Sequence, residues 1–451
     1  MKTIRLPNFR ISIISAALFL TLSQTLYGSE KKSHKVCGIE TPRFFEAAIS
    51  KSENSIHLGN LHETIHSKAT LCKKKHDPEW FKIAVKRSGE QLMKSADAYK
   101  GSNKTPRTFE NGKVELVDPI DWTSGFFPGS LWLMYELTQN EKFKTEAKHY
   151  TNLLESVQYY KGTHDLGFIL YCSYGNGFRI TTDSSYRQVL LNGAKSLMTR
   201  YNPKIGLIRS WDFNKEIWQF PVIIDNMMNL EFLLWASKAS GDTMMKSACM
   251  SHADKTMVNH YRLDNSCFHV VDYDTISGNP RIKQTHQGYS DNSSWSRGQA
   301  WGLYSYTMMY RETKEKKYLV QAEKIAAFIL NHPRLPEDKI PYWDFDAPNI
   351  PNEPRDASAA AVIASALIEL SSFVPQNKTY FETAETILKN LSSDKYLAAN
   401  DKNGFFVLMH STGNWPKNSE IDTPLNYADY YFVEALLRYK NYCSYIKQKT
   451  L

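Results

Sequence analysis

Amphipathic segments recur along the chain roughly every 50 residues, a spacing typical of helical-hairpin repeats. In each segment an aromatic residue or a methionine is followed four positions later by alanine or another aliphatic residue, so both side chains lie on one face of a helix. The pattern predicts six outer helices, each with one face in water. The pairs are Phe81/Val85, Phe143/Ala147, Tyr186/Leu190, Met244/Ala248, Tyr318/Ala322 and Tyr380/Ala384.

More uniformly apolar segments lie between these amphipathic ones, and several mix small with bulky residues, as in D-A-S-A-A-A-V-I-A-S-A-L. A helix that is apolar on every side is expected to be buried. Six outer and six inner helices in alternation predict an all-α (α/α)6 barrel, because the repeats are too unequal for an open array and six pairs close a ring. The predicted inner helices are Gly129–Leu137, Gly167–Tyr174, Asn226–Ala239, Gly298–Tyr310, Ala357–Leu370 and Tyr427–Tyr439.

The segments that lead into the inner helices are the longer connections, as in W-Q-F-P-V-I-I-D-N and T-H-Q-G-Y-S-D-N-S-S-W-S-R-G-Q-A-W. In a closed ring the N-termini of the inner helices share one end, so these loops are expected to converge on one mouth. Binding residues concentrate in loops that a rigid scaffold holds. Alternating residues at Phe268–Tyr273 and Gly404–Leu408 predict minor β ribbons at the rim.

Two acidic residues stand at the starts of successive inner helices. Asp225 lies in V-I-I-D-N-M-M-N-L-E-F-L-L-W and Asp165 lies in H-D-L-G-F, so they are expected to face each other across the mouth. Either carboxylate alone could simply cap its helix. Paired carboxylates with separated pKa values, however, suit proton transfer around a sugar ring. Asp121, in D-W-T-S-G, is a third candidate by the same logic, and Trp122 beside it is a candidate stacking platform.

The stretch from His286 to Trp301 is the densest in polar and aromatic side chains. An arginine can form two hydrogen bonds with one carboxylate, and an indole face can pack against a sugar. One such residue alone is usually structural, but several beside one loop favour a binding site. Trp211 and His269 are further candidates, with a structural role as the default for each. The residues of the dense stretch are Gln287, Trp295, Arg297, Gln299 and Trp301.

The N-terminus resembles a targeting segment. Lys2, Arg5 and Arg10 form a basic region, Ile11–Leu22 is apolar but short for a bilayer span, and Gly28 and Ser29 offer a cleavage point. No cysteine follows the apolar region closely enough for a lipid anchor. We therefore expect a signal peptide at residues 1–29, a lead-in at 30–76 that matches no pattern, and the barrel at 77–451, exported to the periplasm without a membrane anchor.

Composition excludes several function classes. The formal charge is +8, but no predicted helix carries a dense run of basic residues, so nucleic acid is not an expected partner. The chain has no G-x-S-x-G, H-E-x-x-H, P-loop or calcium-loop spacing, and we expect no metal and no cofactor. Of the six cysteines, Cys37 and Cys72 are the candidate disulfide of an exported chain. The aromatic content of 13% fits a carbohydrate cleft, although most of these rings must fill the core.

Several motifs, taken together and in order, resemble glycoside hydrolase family 88, the unsaturated glucuronyl hydrolases. They are D-W-T-S-G-F-F-P-G-S-L-W, H-D-L-G-F, I-I-D-N-M-M-N-L-E, T-H-Q-G-Y-S-D-N-S-S-W-S-R-G-Q-A-W-G-L-Y and D-A-S-A-A-A. Departures from the family pattern are mild, such as Ser296 in place of an expected alanine. The resemblance implies the same barrel, Asp225 as general acid/base and Asp165 as assisting carboxylate. It also implies substrate contacts from Trp122, His164, Trp211, His269, Gln287, Arg297 and Trp301.

The implied substrate is an oligosaccharide with a 4,5-unsaturated uronic acid at its non-reducing end, of the glycosaminoglycan type. The implied reaction hydrates a vinyl ether, so the usual link between carboxylate separation and stereochemical outcome does not apply. Three alternatives stay open at this point. The chain could act on unsaturated rhamnogalacturonan fragments, as a related family does, or on intact polysaccharide chains, or it could be a non-catalytic glycan-binding protein.

Overall fold

The computed structural model describes residues 77–449. The expected signal peptide, the lead-in and the Cys37–Cys72 pair lie outside the described residues. No helix of the described part is both long and apolar enough to span a membrane.

Six helices with one buried face form the outer layer, as the amphipathic pairs predict. Asparagine or aspartate caps most of them, with a side-chain oxygen that accepts a backbone N–H of the first turn; these caps are Asn140, Asp183, Asp242 and Asn377. The outer helices are α1 (Glu79–Tyr99), α3 (Glu141–Asn152), α5 (Ser184–Met198), α7 (Thr243–Asn259), α9 (Lys316–Asn331) and α11 (Lys378–Leu391).

Six inner helices alternate with the outer ones. Each inner helix packs against the next, and the last packs against the first, so the ring is closed. The prediction of an (α/α)6 barrel is confirmed. The inner elements are α2 (Phe126–Thr138), a π-helix (Gly167–Gly175) continued by α4 (Asn176–Thr181), a 3-10 helix (Ile224–Asn229) continued by α6 (Leu230–Ser240), α8 (Ser296–Thr313), α10 (Ala357–Phe373) and α12 (Asn426–Lys449).

Small residues let the inner helices approach closely. A Cβ atom added at Gly129 of α2 would lie 2.6 Å from the Tyr430 ring of α12 and 2.7 Å from the carbonyl oxygen of Cys172 in the π-helix. Alanines serve the same purpose in α10, where Ala357, Ala359, Ala360 and Ala361 have no exposed surface. Buried interiors tolerate little extra volume, so these positions fix the spacing of the ring.

Two inner elements begin with unexpected helix types. The sequence predicts regular helices, whereas the second inner element is a π-helix and the third opens as a 3-10 helix. At the first, the Asn229 side chain reaches across and its Oδ1 accepts the Phe168 backbone N–H at 3.0 Å. At the second, the Ile224 N–H is bonded to the His269 carbonyl oxygen at 3.0 Å rather than within a helix. Hydrogen bonds between elements therefore bind first-turn N–H groups that have no partner within a helix, at the end of the ring where a π-type turn, often a mark of functional sites, also lies.

Four short antiparallel sheets complete the fold of residues 77–449. They are β1 (Thr105–Glu110) with β2 (Lys113–Val117), β3 (Tyr201–Asn202) with β4 (Leu207–Ile208), the sheet β5-β6-β7 (Pro221–Ile223, Val270–Tyr273 and Pro280–Gln284), and β8 (Ser411–Asn414) with β9 (Ser419–Thr423). The ribbon predicted at Phe268–Tyr273 corresponds to β6. The ribbon predicted at Gly404–Leu408 is wrong: Asn403, Gly404 and Phe405 have positive φ angles, and the Asp429 carboxylate accepts the N–H groups of Val407 and Leu408 that a strand would use.

Buried ion pairs link four inner elements toward the C-terminal ends of α8 and α10. Arg311 pairs with Glu231 of α6 and with Glu369 of α10, and Arg438 of α12 pairs with Glu369 at 2.7 Å. The Arg438 guanidinium also donates to the Tyr304 hydroxyl oxygen at 2.7 Å. Since these side chains belong to consecutive inner elements, their network ties four neighbouring elements of the ring to one another.

Candidate active site

The candidate residues lie where the long loops enter the inner elements. Asp225 is in the first turn of the 3-10 helix, Asp165 lies two residues before the π-helix, and Arg297 is in the first turn of α8. Trp122 lies before α2 and Tyr427 is the second residue of α12. Because consecutive inner elements run parallel, these N-terminal ends share one end of the ring, as the sequence predicts.

The sheet β5-β6-β7 places Asp225 beside His269. Ile223 pairs with Val270 in the antiparallel register, and the Ile224 N–H donates to the His269 carbonyl oxygen. Because Asp225 follows Ile224 in the chain, it lies beside His269. Asp225 is 8% exposed. Its carboxylate caps no helix, and its Oδ2 has no hydrogen-bond partner within residues 77–449. The capping role that competes with the catalytic one is therefore not the one Asp225 plays.

His269 is held as one tautomer. Its Nδ1 accepts the backbone N–H groups of His286 at 3.1 Å and Gln287 at 3.2 Å, so the proton of the neutral ring must be on Nε2. Burial, reinforced by the nearby His286 and Arg297, lowers the pKa of His269 well below its usual value. The ring stacks on Trp295 with 4.4 Å between centroids. A neutral Nε2–H thus faces Asp225 Oδ2 at 3.5 Å.

Burial raises the pKa of Asp225 from 3.8 to about 7. The positive charge of Arg297 opposes this shift, whereas the negative charge of Asp165 adds to it. The Trp301 indole lies near enough to favour the anion slightly, although its Nε1 forms no hydrogen bond of ordinary geometry among the described residues. The result is a carboxyl group that can hold a proton near neutral pH, as a general acid must.

Asp165 is close to His164 and is only partly buried. The Asp165 Oδ2 accepts the Thr163 hydroxyl at 2.8 Å, and the Oδ1 lies 3.3 Å from His164 Nε2. Burial lowers the pKa of His164, so this histidine is neutral near pH 7 and adds no positive charge to the site. The structure therefore brings Asp165, His164, His269 and Asp225 together, but it leaves both histidines uncharged.

Arg297 is already engaged with the protein. Its Nη1 donates to Asp356 Oδ2 at 3.0 Å and to the Thr412 carbonyl oxygen at 2.5 Å, and its Nη2 donates to the Gly413 carbonyl oxygen at 2.7 Å. The guanidinium also packs over the Trp295 ring. Only Nε lacks a partner within the described residues. The Arg297 guanidinium, which the family resemblance assigns to a substrate contact, thus binds Asp356 and the β8 backbone.

Aromatic rings surround the carboxylates. Trp122 packs against Tyr427 at 5.0 Å and against Phe168 at 5.8 Å, and the buried Trp301 packs against Phe168 at 5.4 Å. Trp211 belongs to a separate cluster with Phe213, Trp218 and His286. The Gln287 amide donates to the Gly413 carbonyl oxygen at 2.9 Å, which links the loop that carries it to the β8–β9 hairpin.

Tyr427 lies among the candidate residues, although none of the motifs singles it out. It is fully buried, and its hydroxyl has no hydrogen-bond partner among the described residues. Its ring lies between Trp122 and the Arg297 guanidinium, which is 5.2 Å from the ring centroid. A tyrosine at the start of an inner helix is the only sequence signal for this position.

Asp121, the third acidic candidate, is tied to its own turn. The Asp121 Oδ1 accepts the Thr123 N–H and hydroxyl at 2.8 and 2.6 Å, and the Oδ2 accepts from Arg107 at 3.0 Å. This carboxylate organises the entry into α2. No group of three or more His, Cys, Asp or Glu side chains within residues 77–449 is arranged to hold a metal ion.

Comparisons with known proteins place the chain in a family. The model of Glycosyl Hydrolase Family 88 matches residues 97–444. An unsaturated glucuronyl hydrolase of Formosa agariphila is 51% identical over 344 residues, which cover 76% of this chain and 86% of that protein. A crystal structure of an unsaturated glucuronyl hydrolase specific for heparin has a TM-score of 0.79 and 53% identity over 83% of this chain and 98% of the other.

A third similar protein was crystallised with a ligand. A mutant unsaturated glucuronyl hydrolase from Streptococcus agalactiae, complexed with dGlcA-GalNAc6S, has a TM-score of 0.69 and 30% identity, and the match covers 80% of this chain and 91% of the other. The family and the enzyme class expected from the sequence motifs are confirmed. The chain belongs to Glycosyl Hydrolase Family 88.

Proposed function

We propose that the chain removes the 4,5-unsaturated uronic acid from the non-reducing end of glycosaminoglycan-type oligosaccharides, with Asp225 as general acid/base and Asp165 as assisting carboxylate. The observation that carries the proposal is the Asp225 carboxyl group, whose pKa burial raises to about 7 and whose Oδ2 has no partner within residues 77–449. A buried acid that is protonated near neutrality and free on one oxygen is suited to give its proton to a bound ligand.

The first step is a proton transfer to carbon. Protonated Asp225 donates its proton to C4 of the unsaturated ring, and the two electrons of the C4–C5 double bond form the new C–H bond. Positive charge then develops at C5 and is shared with the ring oxygen. The Asp225 carboxylate, now anionic, lies next to that charge and stabilises it.

The second step adds water. A water molecule attacks C5 and loses a proton to the Asp225 carboxylate, which regenerates the acid, or to Asp165, from which the proton must then pass to Asp225. The product at C5 is a hemiketal, which opens by breaking the bond between C5 and the ring oxygen. The former ring oxygen then takes part in a hemiacetal at C1, whose collapse releases the neighbouring sugar. Only protons and water are exchanged, so the proposed chemistry uses no metal and no cofactor.

The surrounding residues hold the acid and the sugar. The neutral His269 ring lies with Nε2 3.5 Å from Asp225 Oδ2, so it lines the site without adding a charge that would favour ionisation of the carboxyl group. We assign substrate contacts to Trp122, His164, Trp211, Gln287 and Trp301, as the family resemblance implies. Arg297 acts mainly by positioning the β8–β9 hairpin and by its charge, since its Nη atoms are already bonded.

Action at a chain end follows from the proposed substrate, because a 4,5-unsaturated uronic acid occupies only the non-reducing end of an oligosaccharide. The comparisons support the glucuronyl hydrolase and not the rhamnogalacturonan-specific or non-catalytic alternatives. The similar heparin-specific structure makes unsaturated heparin disaccharides the first substrates to assay, with chondroitin disaccharides beside them.

Export belongs to the proposal as well. The basic residues Lys2, Arg5 and Arg10, the apolar stretch Ile11–Leu22 and the small residues Gly28 and Ser29 support a cleaved signal peptide and a periplasmic protein. N-terminal sequencing of the protein from a periplasmic fraction tests this assignment, and an intact Met1 would contradict it.

Replacing the proposed acid is expected to abolish most of the turnover. Asp225→Asn keeps the size of the side chain but cannot deliver the proton, so kcat should fall by on the order of 10²–10⁴. The assay follows loss of absorbance of the conjugated double bond, after dialysis of the enzyme against a chelator. The control is Asp121→Asn, which removes an acid tied to Thr123 and Arg107 and should keep kcat within about tenfold of wild type. Near-normal turnover in Asp225→Asn would refute the assigned role.

The pH dependence of kcat should report the protonation of Asp225. Because the acid must be protonated, kcat is expected to fall as pH rises through the pKa of about 7. Asp165→Asn removes a negative charge that raises this pKa, so the alkaline limb of the remaining activity should move to lower pH. A limb that moves to higher pH in this variant, or a wild-type profile that is flat from about pH 5 to 9, would exclude Asp225 as the titrating acid.

The Tyr427 hydroxyl is expected to bind substrate rather than to stabilise the fold. Tyr427→Phe should lower kcat/KM by roughly 10- to 100-fold, which corresponds to a lost hydrogen bond to a charged group, with little change in melting temperature. Tyr306→Phe is the matched control, because the Tyr306 hydroxyl is equally buried but donates to the Ala253 carbonyl oxygen at 2.9 Å. The control should lower the melting temperature and spare kcat/KM. The reverse pattern would show that Tyr427 is structural.

A further inference from the structure

The loop from Ser210 to Gln219 exposes an aromatic ring at the mouth of the barrel. Phe213 is 47% exposed, and one of its faces lies flat on Trp211, with 4.8 Å between centroids and 13° between planes. Single exposed apolar side chains are common on protein surfaces. Phe213 differs because its ring extends a buried aromatic cluster outward into solvent.

Polar contacts fix this loop on both sides of Phe213. Asp212 pairs with Arg200 at 2.8 Å and with Arg209 at 3.2 Å. The Trp218 indole N–H donates to Gln284 Oε1 at 3.0 Å, which ties the end of the loop to β7. The ring of Phe213 is therefore presented in a defined orientation, as a preformed contact surface must be.

The cluster leads from this exposed ring to the proposed acid. The Phe213 centroid is 6.0 Å from the His286 centroid, which is 6.4 Å from that of His269. His269 Nε2 in turn is 3.5 Å from Asp225 Oδ2. Trp211 lies beside Phe213 and His286, and its buried Nε1 has no hydrogen-bond partner within residues 77–449. Phe213 is thus the outermost ring of a continuous path away from the carboxylate.

We propose that the outward face of Phe213 binds a sugar ring on the reducing side of the substrate, beyond the disaccharide unit whose linkage is cleaved. This inference rests on the proposed function. The unsaturated end must reach Asp225, which lies in the first turn of the 3-10 helix, where the long loops enter the ring. The remainder of an oligosaccharide therefore extends outward past these loops. There the next sugar ring can stack on Phe213, an exposed aromatic surface continuous with Trp211. The enzyme should therefore prefer oligosaccharides to disaccharides.

The test compares substrates of two lengths. The wild type and Phe213→Ala are assayed on an unsaturated disaccharide and on an unsaturated tetrasaccharide of the same repeating unit. Loss of one aromatic stacking contact is expected to lower kcat/KM by roughly 2- to 10-fold. Phe213→Ala is therefore expected to reduce kcat/KM for the tetrasaccharide by that factor more than for the disaccharide, mainly through KM. Phe213→Tyr should restore the wild-type ratio.

Phe373→Ala is the control, since Phe373 packs edge to face on Tyr310 at the C-terminal end of α10 and should leave the ratio of the two substrates as in the wild type. Equal losses on both substrates in Phe213→Ala, or a wild type without preference for the longer substrate, would overturn the inference. A wild type that cleaves neither substrate would instead refute the proposed function itself.

Discussion

The mouth of the barrel depends on the buried ion pair between Arg297 and Asp356. Both side chains have at most 1% exposure, and the guanidinium also binds the Thr412 and Gly413 carbonyl oxygens. The pair thereby joins the N-termini of α8 and α10 to the β8–β9 hairpin. A buried pair adds little net stability over apolar packing, but removing one partner leaves an unpaired buried charge that costs about 3–5 kcal/mol. Arg297 therefore holds these elements of the mouth together in the free protein.

That fixed positive charge also sets the proton affinity of Asp225. Burial alone favours the neutral carboxyl group, Arg297 favours the anion, and Asp165 restores part of the shift toward the acid. A protonated His164 or His269 would also have favoured the anion and lowered the pKa of Asp225. Burial keeps both neutral, because a charged imidazole would have to be desolvated as well. The pKa of the acid thus lies near neutrality because burial, the largest effect, and Asp165 together outweigh Arg297.

The sequence predicts the architecture well because barrel formation depends on periodic burial. All six outer and six inner helices, and the convergence of their loops, follow from amphipathic spacing. The π-helix and the 3-10 turn escape prediction because they depend on contacts between elements, such as Asn229 with Phe168. Motifs identify Asp225 and Asp165 by their place at helix starts, whereas Tyr427 becomes visible only once its hydroxyl is known to lack a partner. The engagement of Arg297 depends likewise on Asp356, 59 positions away.

The two ends of the barrel treat buried polar groups in opposite ways. Toward the C-terminal ends of α8 and α10, Arg311 and Arg438 both pair with Glu369, so these buried charges are compensated. At the mouth Asp225 Oδ2 and the Tyr427 hydroxyl are buried without partners among residues 77–449. Each such atom costs about 1–3 kcal/mol when left unpaired. A sugar bound beside these two groups would restore their missing hydrogen bonds, so part of the stability that they cost the free protein would return on binding.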